Sequence, residues 1–234
     1  MVRQTGRWGG AIARMNQMNF VDEMAAAFPA ENPLPPLLRQ ALHWMDEHGF
    51  VHRRSDGSGY ATLYPGPEGQ RLGTIAFFPP EVGDTRAWMR RDEAAVTDRL
   101  AIFLCTGGDG SYAGLWRDDA GVQRIVHLGS GSGSVMFCVL TENVEDLLRL
   151  LAIGYDELCW PEQFNRTPEE LRREAEDEDD DYPPPPSRFR RYVEQTLGLS
   201  VPARASEIVR RTASMSDRSS DDPFWNWHTR VAGD

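Results

Sequence analysis

The sequence predicts an α+β fold: a mainly antiparallel, twisted sheet of about six strands with flanking helices, plus a helical C-terminal extension. Three observations lead there. Short apolar runs near 99–105, 111–117, 122–128 and 134–140 follow one another closely. Only GGDG, AG and SGSG separate them, and such short connections join antiparallel neighbours, because a parallel crossover needs about a dozen residues or more. Apolar residues also recur at helical spacing in Leu37, Leu38, Ala41, Leu42, Trp44 and Met45, and again in Val144, Leu147, Leu148, Leu150 and Leu151.

The elements follow in order. Loosely spaced apolar residues over 8–28, ending at Pro29, predict a first short helix. PAENPLPP is a rigid connector in which Asn32 is placed to cap the next helix, predicted near 34–48 and stopped by Gly49. GYATLYPG and RLGTIAFFPP predict strands near 58–64 and 72–78. DTRAWMRRDEAAVTDRL returns to helical spacing, with Asp84 or Thr85 as cap. After the four runs named above, Thr141 opens a helix near 142–153, and the acids at 142, 145 and 146 suit its N-terminus by capping and dipole. EELRREAEDEDDDYPPPP is a charged run followed by four prolines, either a solvated helix end or a disordered linker. Two helices are expected over 187–198 and 204–215, and the aromatics of DDPFWNWHTR are expected to pack. The expected organisation is an N-terminal helical segment (1–32), an α+β core (33–165), an acidic, proline-rich linker (166–186) and a helical extension packed on the core (187–234).

Composition narrows the function. All 25 basic residues are arginine, so a phosphate-binding P-loop lysine, a Schiff-base lysine and a Ser-Lys dyad are excluded. No apolar run approaches the roughly 20 residues of a membrane span. The N-terminal stretch makes a poor secretory signal, and three sparse cysteines suit reduced thiols in a cytoplasm. Residues 142–181 hold 15 acids against 4 arginines, and the other residues hold 21 of each. One segment therefore carries the whole net charge of −11. Such a chain should repel nucleic acid and anionic membrane and attract a basic partner.

Several motifs invite chemistry and lack its context. Gly108-Asp109-Gly110-Ser111-Tyr112-Ala113 has the spacing of a dinucleotide fingerprint, but GLWRDDAG follows it as a strand, where a phosphate needs a helix N-terminus. The turn is expected to be a hairpin in which Asp-Gly supplies left-handed conformations. The GSGSGS run at 129–134 also links strand to strand. His43 and His48 are five apart and Gly49 interrupts the pair His48 and His52, so neither offers the i,i+4 helix face of a ligand pair, and the cysteines have no C-x-x-C spacing. Ser111 and His127 lack a nucleophile elbow and an orienting acid. No catalytic residue, metal or cofactor is assigned.

The stretch TGGDGSYAGLW, followed by RIVHLGSGSGSVMFCVLTENVEDLLRLLAIGYDEL, resembles the SUKH superfamily. There a Gly-Asp-Gly turn enters a strand ending in aromatic and acidic residues, and a last strand feeds an amphipathic helix. Leu147 and Leu148 stand where the family often has Phe-Leu, and the resemblance covers roughly residues 33–160. It implies a protein-binding α+β domain that is not an enzyme. For bacterial members it implies a cytoplasmic immunity protein that neutralises a cognate toxin delivered by neighbouring cells. For eukaryotic relatives it implies a regulatory scaffold, and an enzyme using His127 or the His43–His52 cluster is the remaining alternative. The candidate partner-binding residues are Asp109, Tyr112, Asp118 and Asp119, with Glu174, Glu176, Asp177, Glu178, Asp179, Asp180 and Asp181 of the acidic run. The expected partner is a basic toxin, bound by a chain that is monomeric when free.

Overall fold

The computed structural model describes residues 18–67, 71–177 and 181–232. Seven strands form one antiparallel sheet in simple sequence order: β1 (Val51–Arg53), β2 (Gly59–Thr62), β3 (Ala76–Phe77), β4 (Leu100–Cys105), β5 (Tyr112–Arg117), β6 (Gln123–Leu128) and β7 (Phe137–Thr141). The α+β class is as expected, with one strand more than the six. That strand, β1, is three residues of VHR, too short and polar to show as a period-2 run, and it pairs with β2.

Both faces of the sheet are covered, which explains why its central strands read as nearly unbroken apolar runs. On β5 to β7, Ala113, Leu115, Ile125, Cys138 and Leu140 enter one core, and the alternating Trp116, Val126, Leu128, Phe137 and Val139 enter a second. A bulge at Ile102/Leu104 turns both Phe103 and Leu104 into the first core. Helices α1 (Phe20–Ala27), α2 (Pro36–Glu47) and α5 (Val144–Ile153) feed that first core, as expected of the helices near 34–48 and 142–153. Residues 8–17 of the first expected helix lie outside the described residues. The second core is closed by α3 (Val82–Met89), α4 (Ala94–Thr97) and α8 (Pro223–Ala232). From α8, Phe224 stacks on Phe137 with centroids 4.8 Å apart, and Trp227 lies 5.5 Å from Trp116.

Several local expectations are corrected. Asn32 caps no helix: Pro35 holds that position, and the fully buried Asn32 donates to the carbonyls of Leu115 (2.9 Å) and Arg99 (3.1 Å). The helix over 84–100 breaks in two at Arg90, whose φ of 51° is left-handed, and Glu81 replaces Asp84 or Thr85 as cap. Thr141 ends β7, while Asn143 caps α5 by accepting from the Asp146 amide at 2.8 Å. No helix spans 204–215. After a short turn at Ala205–Glu207, the chain extends along β7, where Phe137 N–H donates to Ala213 (2.8 Å) and Met215 N–H to Val135 (2.9 Å). An open sheet edge offers those partners, and pairing there outweighs helical propensity.

Helix α6 (Pro168–Asp177) occupies much of the expected linker. Its Leu171 is buried, and the following Pro183 and Pro186 are buried as well, so these prolines hold the chain against the core rather than away from it. Helix α7 (Ser187–Arg191) continues as a π-helical turn, Tyr192–Thr196, in place of a regular helix to 198.

Candidate functional site

Asp109 is a junction between loops. Its turn joins β4 to β5, closed by hydrogen bonds from Thr106 N–H to Ser111 (3.0 Å) and from Gly110 N–H to Gly107 (3.2 Å). Gly110 alone is left-handed there, with φ of 91°, so the expected Asp-Gly pair is reduced to its glycine. Asp109 Oδ2 accepts from the Ser134 amide (2.7 Å), the Ser130 hydroxyl (2.7 Å) and the Ser111 hydroxyl (2.9 Å), and Oδ1 accepts from the Ser111 amide (3.0 Å). Partial burial pushes the carboxyl up, but these donors together outweigh it and hold Asp109 below the usual carboxylate range. The loop after α5 joins them: Gly108 N–H donates to Glu157 (2.6 Å), and the Ser134 hydroxyl donates to the Cys159 carbonyl (2.6 Å). Glycine is required by contact. A Cβ on Gly107 would sit 2.5 Å from Cys159 Sγ, and one on Gly133 would sit 2.6 Å from Asp109 Oδ2. Both glycine-rich runs are thus used in stitching three loops together.

Asp118 and Asp119 lie at the far end of β5, about 20 Å from Asp109 at ~3.3 Å per residue over the six residues of that strand. The structure therefore does not bring these predicted residues together. Both are also engaged. Asp118 accepts from the amides of Ala120 and Val122 and pairs with Arg124, each at 2.9 Å. Asp119 pairs with Arg99 (2.9 Å) and Arg230 (2.7 Å), the latter from α8.

The acidic run behaves differently. Glu174 pairs with Arg166 at 2.6 Å. Glu176, Asp177 and Asp181 are exposed and form no ion pair among the described residues, whereas Glu178, Asp179 and Asp180 lie outside those residues. The run is held at the Asp109 end of the sheet. Arg172 of α6 lies 5.3 Å over the Tyr182 ring, the Asp156 amide donates to the Tyr182 phenol oxygen (3.2 Å), and Glu157 follows in the loop that meets Gly108. Burial, and after it the neighbouring Glu157, push the Asp156 carboxyl up. Asp109, Asp156 and Glu157 thus stand at the same end as Glu176, Asp177 and Asp181, with Arg71 acting on Asp156 there.

Tyr112 faces a groove of about 720 Å³ beside the second core. Phe78 and Tyr112 meet edge to face with centroids 5.7 Å apart, and Trp88 meets Tyr112 at 6.2 Å. Ala76, Cys105, Glu81 and Asp84 also line it. Sequence reasoning singled out Tyr112 and missed its companions, which come from three other elements. The FFPP stretch, two aromatics just before a proline stop, was the available signal.

Of the other candidate chemistry, His127, Cys138 and Cys159 are enclosed, whereas His43 and His48 are exposed. His127 is fully buried, its Nδ1–H donating to the Met136 carbonyl (2.9 Å) while Nε2 accepts from the Thr106 hydroxyl (3.0 Å). Burial lowers its pKa to about 4, so the ring is neutral, and Ser111 bonds to Asp109 instead of to it. Burial pushes the Cys138 thiol up to about 12 and raises Cys159 further. His48 stacks on Trp44 of its own helix, whereas His52 sits on β1 against Tyr60. Among the described residues no three His, Cys, Asp or Glu side chains gather as metal ligands, and no helix is long and apolar enough to cross a membrane. Comparison with protein-family models, with curated proteins and with solved structures finds no match.

Proposed function

We propose that this protein is a cytoplasmic immunity protein that binds a cognate basic toxin and blocks it by covering its active surface, without turnover. The observation that carries the proposal is the placement of the acidic run. Glu176 and Asp177 end a helix that is docked through Leu171 and, by Arg172, against the Tyr182 ring, with Asp181 beside that ring in sequence, and none of the three acids has an ion pair among the described residues. Acids held on a docked helix present a directed field, and within a Debye length, roughly 8–10 Å at physiological salt, that field steers a basic partner. Exposed pairs contribute only about 0–1 kcal/mol each, so the run sets association rate more than final affinity.

The test begins with the neighbouring open reading frame and co-purification of the two products. Changing the acids at 174 and 176–181 to Asn and Gln should then slow association about tenfold and flatten its dependence on salt. Unchanged association kinetics would remove the run from the interface, and absence of a toxic, co-purifying neighbour would remove the toxin.

A further inference from the structure

The acidic run explains capture but supplies no buried contact. Tight complexes rest on a few desolvated anchors, most often aromatic or arginine side chains in well-packed pockets. The groove at Tyr112 has the makings of the receiving half. Phe78 and Tyr112 line it and are half-buried, and Tyr112 meets both Phe78 and, behind it, the half-buried Trp88 edge to face, which fixes its ring before any partner arrives. The Tyr112 hydroxyl has no hydrogen-bond partner among the described residues, and neither Glu81 nor Asp84 has an ion pair there. Burial pushes the Asp84 carboxyl up, and the nearby Glu81 adds to it. A cation seated between these carboxylates and the ring relieves that repulsion. Two arginines also line the groove. Arg54 is committed to the Tyr60 ring (5.0 Å) and to Ser58 (3.3 Å), and Arg71 acts on the Cys105 thiol and the Asp156 carboxyl, so it stands at the Cys105 side of the groove.

We propose that this groove is an anchor site for an arginine side chain of a partner protein, with the guanidinium against Tyr112 and forked towards Asp84 and Glu81. The proposal rests on the partner being a basic protein. Arginine fits better than lysine because a planar guanidinium stacks on an aromatic ring while its edge donates to carboxylates.

The test uses the full chain and Nα-acetyl-arginine methylamide, with the citrulline analogue as a neutral probe of the same shape. Amide chemical shifts of Phe78, Asp84 and Tyr112 are followed by NMR during titration. The arginine probe should move these amides saturably and the citrulline probe should not. Asp84→Asn, at an exposed helix position with no hydrogen bond to lose, and Tyr112→Leu should each weaken the effect by about three- to tenfold. Equal response to both probes, saturable shifts confined to α6, or no saturable response would overturn the proposal. The probe requires no toxin. Groove binding with no toxin found would keep the anchor and reject the toxin, and a toxin complex that leaves these amides unmoved would do the reverse.

Discussion

Replacing Asp109 with alanine separates a structural role from a partner-binding one. The carboxylate accepts four hydrogen bonds, two from backbone amides and two from hydroxyls. The hydroxyls can rotate to other acceptors, but the amides cannot. Ser111 is fully buried and Ser134 is 3% exposed, so both amides would lose a charged acceptor with little access to water. At about 1–2 kcal/mol for each amide, the lower part of the usual range because Asp109 itself is partly exposed, Asp109→Ala should destabilise by about 2–4 kcal/mol. Urea unfolding followed by tryptophan fluorescence reads the loss, and faster hydrogen exchange at Ser134 locates it. The effect also has a pH signature. The folded carboxyl titrates below its unfolded value, so its stabilisation is complete above the unfolded pKa and disappears as pH falls through the folded one. Wild type and variant should therefore converge in acid. An unchanged unfolding midpoint at neutral pH, or a gap that persists undiminished in acid, would refute the junction role.

Three further outcomes are expected. Phe224→Ala, which empties a fully buried ring from the second core, should destabilise by about 3–5 kcal/mol in the same unfolding assay, and a loss under 1 kcal/mol would mean that α8 is not integral to that core. Gly107→Ala places a methyl 2.5 Å from Cys159 Sγ and should destabilise by about 1–3 kcal/mol, with Cys159→Ala in the same chain restoring part of it; a neutral Gly107→Ala would show that the loops are not tightly stitched. His127 has a folded pKa of about 4 against an unfolded value near 6.5, so the unfolded chain takes up the proton first as pH falls. Stability should drop by about 3 kcal/mol between pH 6.5 and 4 on this account, and a pH profile that His127→Gln fails to flatten would contradict it.

The antiparallel sheet was legible because its strands bury both faces and its turns are too short for crossovers. Helix α5 was legible from its apolar spacing. What escaped depends on partners distant in sequence. Arg90 breaks a helix that spacing alone continues to 100. Residues 213–215 look helical until the unpaired edge of β7 is in place to accept them. Asn32 reads as a cap, and only the fold brings Leu115, 83 residues away, within its reach. Asp109 was identified as a turn residue, but its engagement with Ser130 and Ser134 needs the second glycine loop folded against the first. Charge counting found the acidic run and gave the same weight to Asp118 and Asp119, because the arginines that neutralise them come from the turn before β4, from β6 and from α8.

Capture and anchoring then have a shared geography. Burial raises the thiol pKa of Cys105, which lines the Tyr112 groove; Arg71 opposes this, and the Glu157 and Asp109 carboxylates add to it more weakly. Glu157 follows Asp156, whose amide bonds to Tyr182 beside α6. The acids of α6 and the aromatic groove thus share one end of the sheet, α6 packed on the first core through Leu171 and the groove on the second through Phe78 and Tyr112, while the neutralised Asp118 and Asp119 occupy the other end. A basic partner drawn by α6 would reach round this end of the sheet to seat an arginine in the groove. Neutralising α6 should lower the association rate and leave dissociation nearly unchanged, because the acids act before contact. Asp84→Asn should do the opposite, raising dissociation about three- to tenfold with little change in association, because a half-screened carboxylate matters once the guanidinium is seated. Measured together by surface-captured kinetics on the cognate complex, the two variants should change different rate constants. If both changed association alone, Asp84 would belong to the steering field and the groove would hold no anchor.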